Sequence, residues 1–356
     1  MVQAGAGTPS RRTMTRRPRR PVSRTMPTVA TAAVIAGALL PLTATTGTAD
    51  AATLAKADDG ASIAAYKWLN KTKTAFDITV ESPALGAQRK VRVLLPKGYR
   101  FSSPKAWPVV YAYHGGNDSY VSWTRSSDIQ SVASKWGVMV VMPEGANGSY
   151  TNWFNYGKGG TPRWEDFHMK EVRQLVERNY HAGASRAVMG ISSGAEGACT
   201  YAGRYPGEFR FAACFSGVLS MSLPGIPALL MYTNTKPGVD PNAIWGIPRV
   251  DQANWDAHDP VKLLSKVRGT RFYVSAGNGT PGPFDKPGTA PWDIGYLSEK
   301  AVNPTVQDFA KRARQLHIPI TAHMYGPGRH SWPYWKREMH TAWPQIMKAI
   351  GAKPVR

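Results

Sequence analysis

An α/β fold with a mainly parallel, doubly wound sheet and helices on both faces is predicted by three features of this sequence. Short apolar runs alternate along the chain with segments of helical spacing. One run, Val109-Val110-Tyr111-Ala112-Tyr113, has no charged position, as expected of a central strand covered on both faces. The stretch Arg186 to Gly197, RAVMGISSGAEG, reads as a buried strand that turns sharply at Ser192 into a helix, with Gly190 and Gly194 letting the two approach.

The first 51 residues are expected to stand outside this fold. Seven arginines between positions 11 and 24 precede an apolar run from Val29 to Leu42, and Ala49-Asp50-Ala51 supplies a small-residue cleavage site. This reads as a signal peptide, so the mature chain is expected to be secreted, extracellular or cell-wall associated. The apolar run is shorter than the ~20 residues of a membrane span. Removing the segment takes seven arginines and Asp50 from 44 basic and 23 acidic residues, leaving 37 against 22, a net +15. That charge favours anionic cell-wall or membrane surfaces. Nucleic acid is not expected as a partner, because the basic residues are scattered.

Residues 52–74 are polar and alanine-rich and read as an N-terminal lead-in to a catalytic domain over 75–356. Alternation over Phe76–Val80 and Val91–Leu95, around a turn at 83–87, predicts a hairpin at one sheet edge. The central strand 109–113 ends in His114-Gly115-Gly116-Asn117, which puts open backbone N–H groups at its carboxyl end. Gly116 is the candidate donor to an oxyanion there. A helix over Ile129–Trp136, a buried strand Val138–Met142 and a loop 143–154 follow. Apolar residues at Phe167, Val172, Leu175, Val176 and Tyr180 mark a helix within 164–180.

After the elbow comes a strand at Phe211–Phe215, closing at Ser216-Gly217. Cys199, on the helix behind the elbow, and Cys214, on this strand, form a candidate disulfide in an oxidising compartment. Residues 218–257, with five prolines, break the rhythm and read either as an insertion that shapes or covers a site or as structural padding. Strand 271–275, a loop 277–295, a helix 301–316, strand 320–325 and a helix near 334–350 complete the sheet.

His330 follows the last strand. Of eight histidines it alone combines that place with the chain order serine, acid, histidine. His168, His181, His258, His317 and His340 read as solvated or capping residues, and His323 lies in a strand. The acid should follow strand 271–275, where position alone leaves Asp285, Asp293 and Glu299 open.

Five stretches carry a resemblance: Met142-Pro143-Glu144-Gly145, Trp164-Glu165-Asp166-Phe167, Gly190-Ile191-Ser192, Ala276-Gly277-Asn278-Gly279-Thr280-Pro281 and His330-Ser331-Trp332-Pro333-Tyr334-Trp335. Over roughly residues 75–350 the chain resembles the antigen 85 mycolyltransferases, within the wider esterase D-like family of α/β-hydrolases. The resemblance implies an α/β-hydrolase fold with Ser192 as nucleophile and His330 as base. It also implies Glu299 as acid, by its spacing to Phe309, the Gly116 and Ser193 N–H groups as oxyanion hole, and Trp332 beside the base. The chain departs from that family at the oxyanion turn. Where the family has an Asp and an Arg that help hold trehalose, this chain has His114 and Asn117, which become candidate substrate contacts. The family's disulfide pair before the Trp-Glu helix is missing as well.

The reading is a secreted serine esterase or acyltransferase that takes an acyl ester or lipid substrate without cofactor or metal. The alternative is a catalytically silent, basic cell-surface binding protein on the same fold. Oligomeric state, natural acyl donor and acceptor stay open at this level.

Overall fold

The computed structural model describes residues 54–155, 162–234 and 240–355, all within the unit Gly47–Arg356. The expected signal peptide lies outside the described residues. Nine strands among them form one sheet: β1 (Ser62–Trp68), β2 (Ala75–Ser82), β3 (Ala87–Leu94), β4 (Trp107–Tyr113), β5 (Met139–Pro143), β6 (Ala182–Ile191), β7 (Phe211–Phe215), β8 (Arg271–Ala276) and β9 (Ile320–Met324). Their order is β1-β2-β3-β5-β4-β6-β7-β8-β9. The first three strands pair antiparallel and the rest run parallel from β5 onward.

The expected hairpin is β2–β3, with Ser82 opposite Ala87. It is not the edge. Residues 62–68, inside the stretch read as a lead-in, form β1 outside it. The polar look of that stretch reflects an edge strand with a largely exposed outer face, which hides the alternation used to find strands.

The central strands separate two cores by their period of two. Val109, Tyr111 and Tyr113 of β4 and Val188 of β6 enter one apolar cluster. Val110 and Ala112, with Ala187, Met189 and Ile191, enter the other. Short helices α1 (Ser122–Ser126) and α2 (Ile129–Ala133) supply Trp123, Ile129 and Val132 to the second cluster. On the first face lies a helical run of α3 (Trp164–Asp166), a π-helical turn Phe167–Val172 and α4 (Arg173–Tyr180). Next to it packs α5 (Ser193–Arg204), directly behind the elbow.

The insertion contributes α6 (Ile226–Asn234) and α7 (Gln252–His258), followed by α8 (Pro260–Leu263). Helix α9 (Ile294–Gln315) covers the first face and α10 (Trp332–Ile350) the second. The α9 helix begins seven residues before the expected Ala301. Asp293 caps it by accepting the Gly295 N–H at 2.8 Å, so the turns before Ala301 are helical and carry Glu299.

Candidate active site

Ser192 stands between β6 and α5 with φ +52° and ψ −124°, a strained conformation of order 1–3 kcal/mol that the surrounding structure must hold. Two glycines allow it. A Cβ at Gly190 would lie 2.1 Å from the Gly194 carbonyl oxygen, and one at Gly194 would lie 2.4 Å from that of His114. Backbone bonds brace the turn, from Ser192 N–H to the Phe215 carbonyl and from Ala195 N–H to the Ser192 carbonyl, both at 2.9 Å.

The parallel strands end on one side, and there three side chains far apart in sequence meet. His330 Nε2 lies 2.8 Å from Ser192 Oγ. Its Nδ1 lies 2.7 Å from Glu299 Oε2. Nδ1–H donates to the carboxylate, which leaves Nε2 free to accept the Ser192 hydroxyl proton. Glu299 is wholly buried, and its second oxygen accepts from Gly277 N–H at 2.6 Å, Ser216 Oγ at 2.8 Å and Tyr325 Oη at 3.1 Å. A buried carboxylate with four donors is held in one orientation.

The other two acids are engaged elsewhere. Asp285 accepts from Gly282 N–H at 2.7 Å and Tyr334 Oη at 3.0 Å. Asp293 caps α9 and pairs with Arg329 at 2.6 Å.

Gly116 and Ser193 border the same cavity as Ser192, and a Cβ on Gly116 would sit 3.8 Å from Ser193 Oγ. Neither backbone N–H has an acceptor among the described residues. Ser193 opens α5, where the helix dipole adds positive potential. Asn117 also lines the cavity, and its N–H donates to Asn147 Oδ1 at 2.7 Å, which holds the turn in place.

Two expected substrate contacts are corrected. His114 is 1% exposed and turned inward. Its Nδ1–H donates to the Gly115 carbonyl at 2.7 Å, and its Nε2 lies 2.8 Å from the Gly145 N and 3.1 Å from Glu144 Oε1. The side chain ties the oxyanion turn to the 143–154 loop and cannot reach a substrate. Burial works against the charge of Glu144, but the neighbouring His114 ring and the hydrogen bonds from the Ala146 and Tyr120 N–H groups outweigh it, and the carboxyl stays below its usual range. The second correction concerns Trp332, which packs edge-on against Trp123 at 5.2 Å and Trp335 at 5.6 Å. The ring in edge contact with His330 is that of Trp335, at 4.9 Å.

His168 and His258, read as surface or capping residues, are buried. Burial pushes the His168 imidazole down to about 3, and it bridges the Glu144 carbonyl and Tyr201 Oη under the loop. Cys199 and Cys214 are joined in a disulfide between α5 and β7.

A cavity of about 620 Å³ opens on Ser192 and His330. Its apolar wall is Val218, Leu229, Leu230, Ile294 and Val302, so the insertion supplies part of the roof through α6. Sequence reading missed Ser216, Tyr325, Asn147 and Trp335. Ser216 and Trp335 each lie inside a stretch already singled out; nothing local marks Asn147 or Tyr325.

This arrangement, a half-buried serine on an elbow with an imidazole and a buried carboxylate behind it, has the geometry that serine hydrolases use and sits on an α/β-hydrolase fold. Residues 82–346 match the family described as putative esterase. The chain is 31% identical over 295 residues to diacylglycerol acyltransferase/mycolyltransferase Ag85A of Mycobacterium bovis, covering 78% of this chain and 82% of that one. It is 27% identical to the Ag85C protein of Mycobacterium avium, over 77% of each. Among solved structures, Mycobacterium tuberculosis MPT51 superposes with a TM-score of 0.63 at 24% identity, over 81% of this chain and 99% of that one. The chain belongs to the esterase family, in its antigen 85-like branch. It is a hydrolase or acyltransferase, and among the described residues no helix is long and apolar enough to cross a membrane.

Proposed function

We propose that this chain is an exported serine esterase or acyltransferase that works through an acyl-serine intermediate, with Ser192 as nucleophile, His330 as base and Glu299 as the acid that orients it. The carrying observation is the unbroken chain of hydrogen bonds Ser192 Oγ to His330 to Glu299, at 2.8 and 2.7 Å. Ser192 Oγ attacks the ester carbonyl while His330 Nε2 takes its proton. The imidazolium then protonates the departing alcohol. The Gly116 and Ser193 N–H groups receive the oxyanion, aimed at the developing charge before it forms. Water, or an acceptor hydroxyl, is deprotonated by His330 in turn and releases the acyl group.

The apolar wall around Leu229 and Leu230 suits a short to medium acyl chain. Trehalose is a poor acceptor in this reading, because His114 and Asn117 replace the family's charged pair and His114 is directed into the protein. Export rests on the pattern of residues 1–51, and the net +15 of the remaining chain favours an anionic wall or membrane surface.

The test is covalent labelling by a fluorophosphonate followed by peptide mapping, with product analysis on an acyl ester in the presence of candidate sugar acceptors. Labelling at Ser192 together with free acid or transferred ester supports the reading. Labelling at Ser193 and not at Ser192 overturns the assignment of the nucleophile, and a protein that adheres to wall polymers but turns over no ester overturns the reading in favour of the silent binding protein.

A further inference from the structure

Glu196 lies one helical turn after Ser192 on α5 and lines the same cavity as Ser192 and His330. It is 5% exposed, and its carboxyl has no hydrogen bond or ion pair with any described residue. A carboxyl taken out of water without a partner is costly. Nearby acids are not left this way: Asp259, at the start of α8, accepts from Met221 N–H at 3.0 Å and Ser222 Oγ at 2.9 Å, and Glu165 accepts from Arg204 at 2.8 Å.

The cavity around Glu196 is also of the opposite character to the chain as a whole. The protein carries 44 basic residues against 23 acidic ones, yet among the described residues no lysine or arginine lines this cavity. Its polar lining includes Asn117, Asn147, Ser149, Ser298 and Thr233 with one carboxyl, beside Ser192, Ser193, Ser216 and His330. Among the described residues an anionic substrate group would find no lysine or arginine here to pair with.

Resting on the serine-esterase reading, we propose that Glu196 is a specificity-determining residue that takes an ammonium group carried by the substrate, so that the cavity selects cationic esters over their neutral isosteres. The missing partner of the carboxyl is then supplied by the ligand, inside a site where ion pairing is stronger than in water. A further physical fact agrees. Burial first, and the charge of Asp259 second, push the Glu196 carboxyl up to about 8, so in the protein alone it holds its proton at neutral pH. An arriving ammonium replaces that proton, which leaves to solvent. A cation gains from the negative field of both acids, whereas a neutral hydroxyl gains little from it.

Two measurements decide this. The first compares kcat/KM for matched esters. One pair is the choline ester of butyrate and the ester of its neutral tert-butyl isostere; the other places the trimethylammonium group at the end of a four-carbon acyl chain. The wild type is expected to prefer the cationic member of one pair by about tenfold, mainly through KM, and the responding pair shows which side of the ester Glu196 meets. In Glu196→Gln that ratio falls to within about twofold of unity, and Glu196→Asp keeps part of it. No preference in the wild type, or a preference that survives Glu196→Gln, overturns the proposal.

The second measurement is independent of turnover: the thermal shift on adding tetramethylammonium chloride against sodium chloride at equal ionic strength. Saturable stabilisation of the wild type that is absent in Glu196→Gln supports the assignment. Equal shifts in both proteins refute it. If no ester is turned over, the esterase reading fails, and this binding result still decides the role of Glu196.

Discussion

Around Ser192, the side built by the strand ends and the side built by the 218–257 insertion differ in how their groups are satisfied. On the sheet side, His330, Glu299, Ser216, Tyr325 and the Gly277 N–H form one connected network with donor–acceptor distances of 2.6 to 3.1 Å. On the insertion side, which α5 and the start of α9 join, the Glu196 carboxyl of α5 has no hydrogen-bond or ion-pair partner among the described residues, and Tyr232 on α6 and Ile294 at the start of α9 are 78% and 72% exposed. Connected buried polar groups hold one geometry. Exposed apolar groups and a single unpaired acid leave contacts for a ligand to complete. In the proposed function, the sheet side pre-organises the chemistry and the wall carries the selectivity.

The sharpest break of this comparison is Ser192→Ala, which should abolish ester turnover, by on the order of 10⁴ to 10⁶, while far-UV circular dichroism stays unchanged. Loss of folded signal would instead make the strained turn a folding requirement. Next is the acid. Glu299→Gln should lower kcat by about 10⁴, since the amide favours the wrong imidazole tautomer. Asp285→Asn and Asp293→Asn should stay within a few-fold of wild type, and a larger loss in either than in Glu299→Gln would move the acid.

The disulfide comes third. Cys199 and Cys214 are 15 residues apart, and replacing both by serine should cost about 3 kcal/mol of stability by loop entropy, read as a lowered urea midpoint. An unchanged midpoint would leave α5 and β7 held by packing alone.

The fourth test is on the wall. Leu230 is buried and lines the cavity, so Leu230→Ala should shift acyl-chain preference by roughly tenfold, the usual worth of one or two methylenes in an apolar pocket. A uniform fall for every chain length would place Leu230 outside the acyl path.

The smallest effect is a pH signature. The Glu196 carboxyl is raised from 4.5 to about 8, so between those values the native state binds a proton that the unfolded chain has lost, and stability falls as pH rises through this window. Glu196→Gln removes that loss. Its Tm advantage over wild type should grow from pH 5 to about pH 8 and then level off; a constant difference would mean that Glu196 does not titrate there.

What could be read locally was read well from the sequence. Apolar runs mark strands because a central strand touches nothing but other strands and helices, so β4, β5 and β7 need no tertiary information. The elbow is equally local: Gly190, Ser192 and Gly194 fall within five consecutive positions, whose close approach forbids larger residues at the ends. His330 follows from the order of elements, since each parallel strand delivers its end to the same side of the sheet.

Other features depend on partners far along the chain. β1 is an edge strand with few buried positions and gives little alternation. Glu299 differs from Asp285 and Asp293 by meeting Ser216, 83 residues away, and His330, 31 away. His114 has the composition of a site residue, but its inward turn depends on Glu144 and Gly145, about thirty residues on. The sequence by itself determined the strand and helix order, the elbow and the candidate serine and histidine, because these rest on periodicity and short-range sterics. Only the tertiary structure decided which carboxyl faces the imidazole, which tryptophan touches it and that Glu196 enters the cavity unpaired. The direction of a side chain is set by the elements packed around it, and these lie tens of residues away.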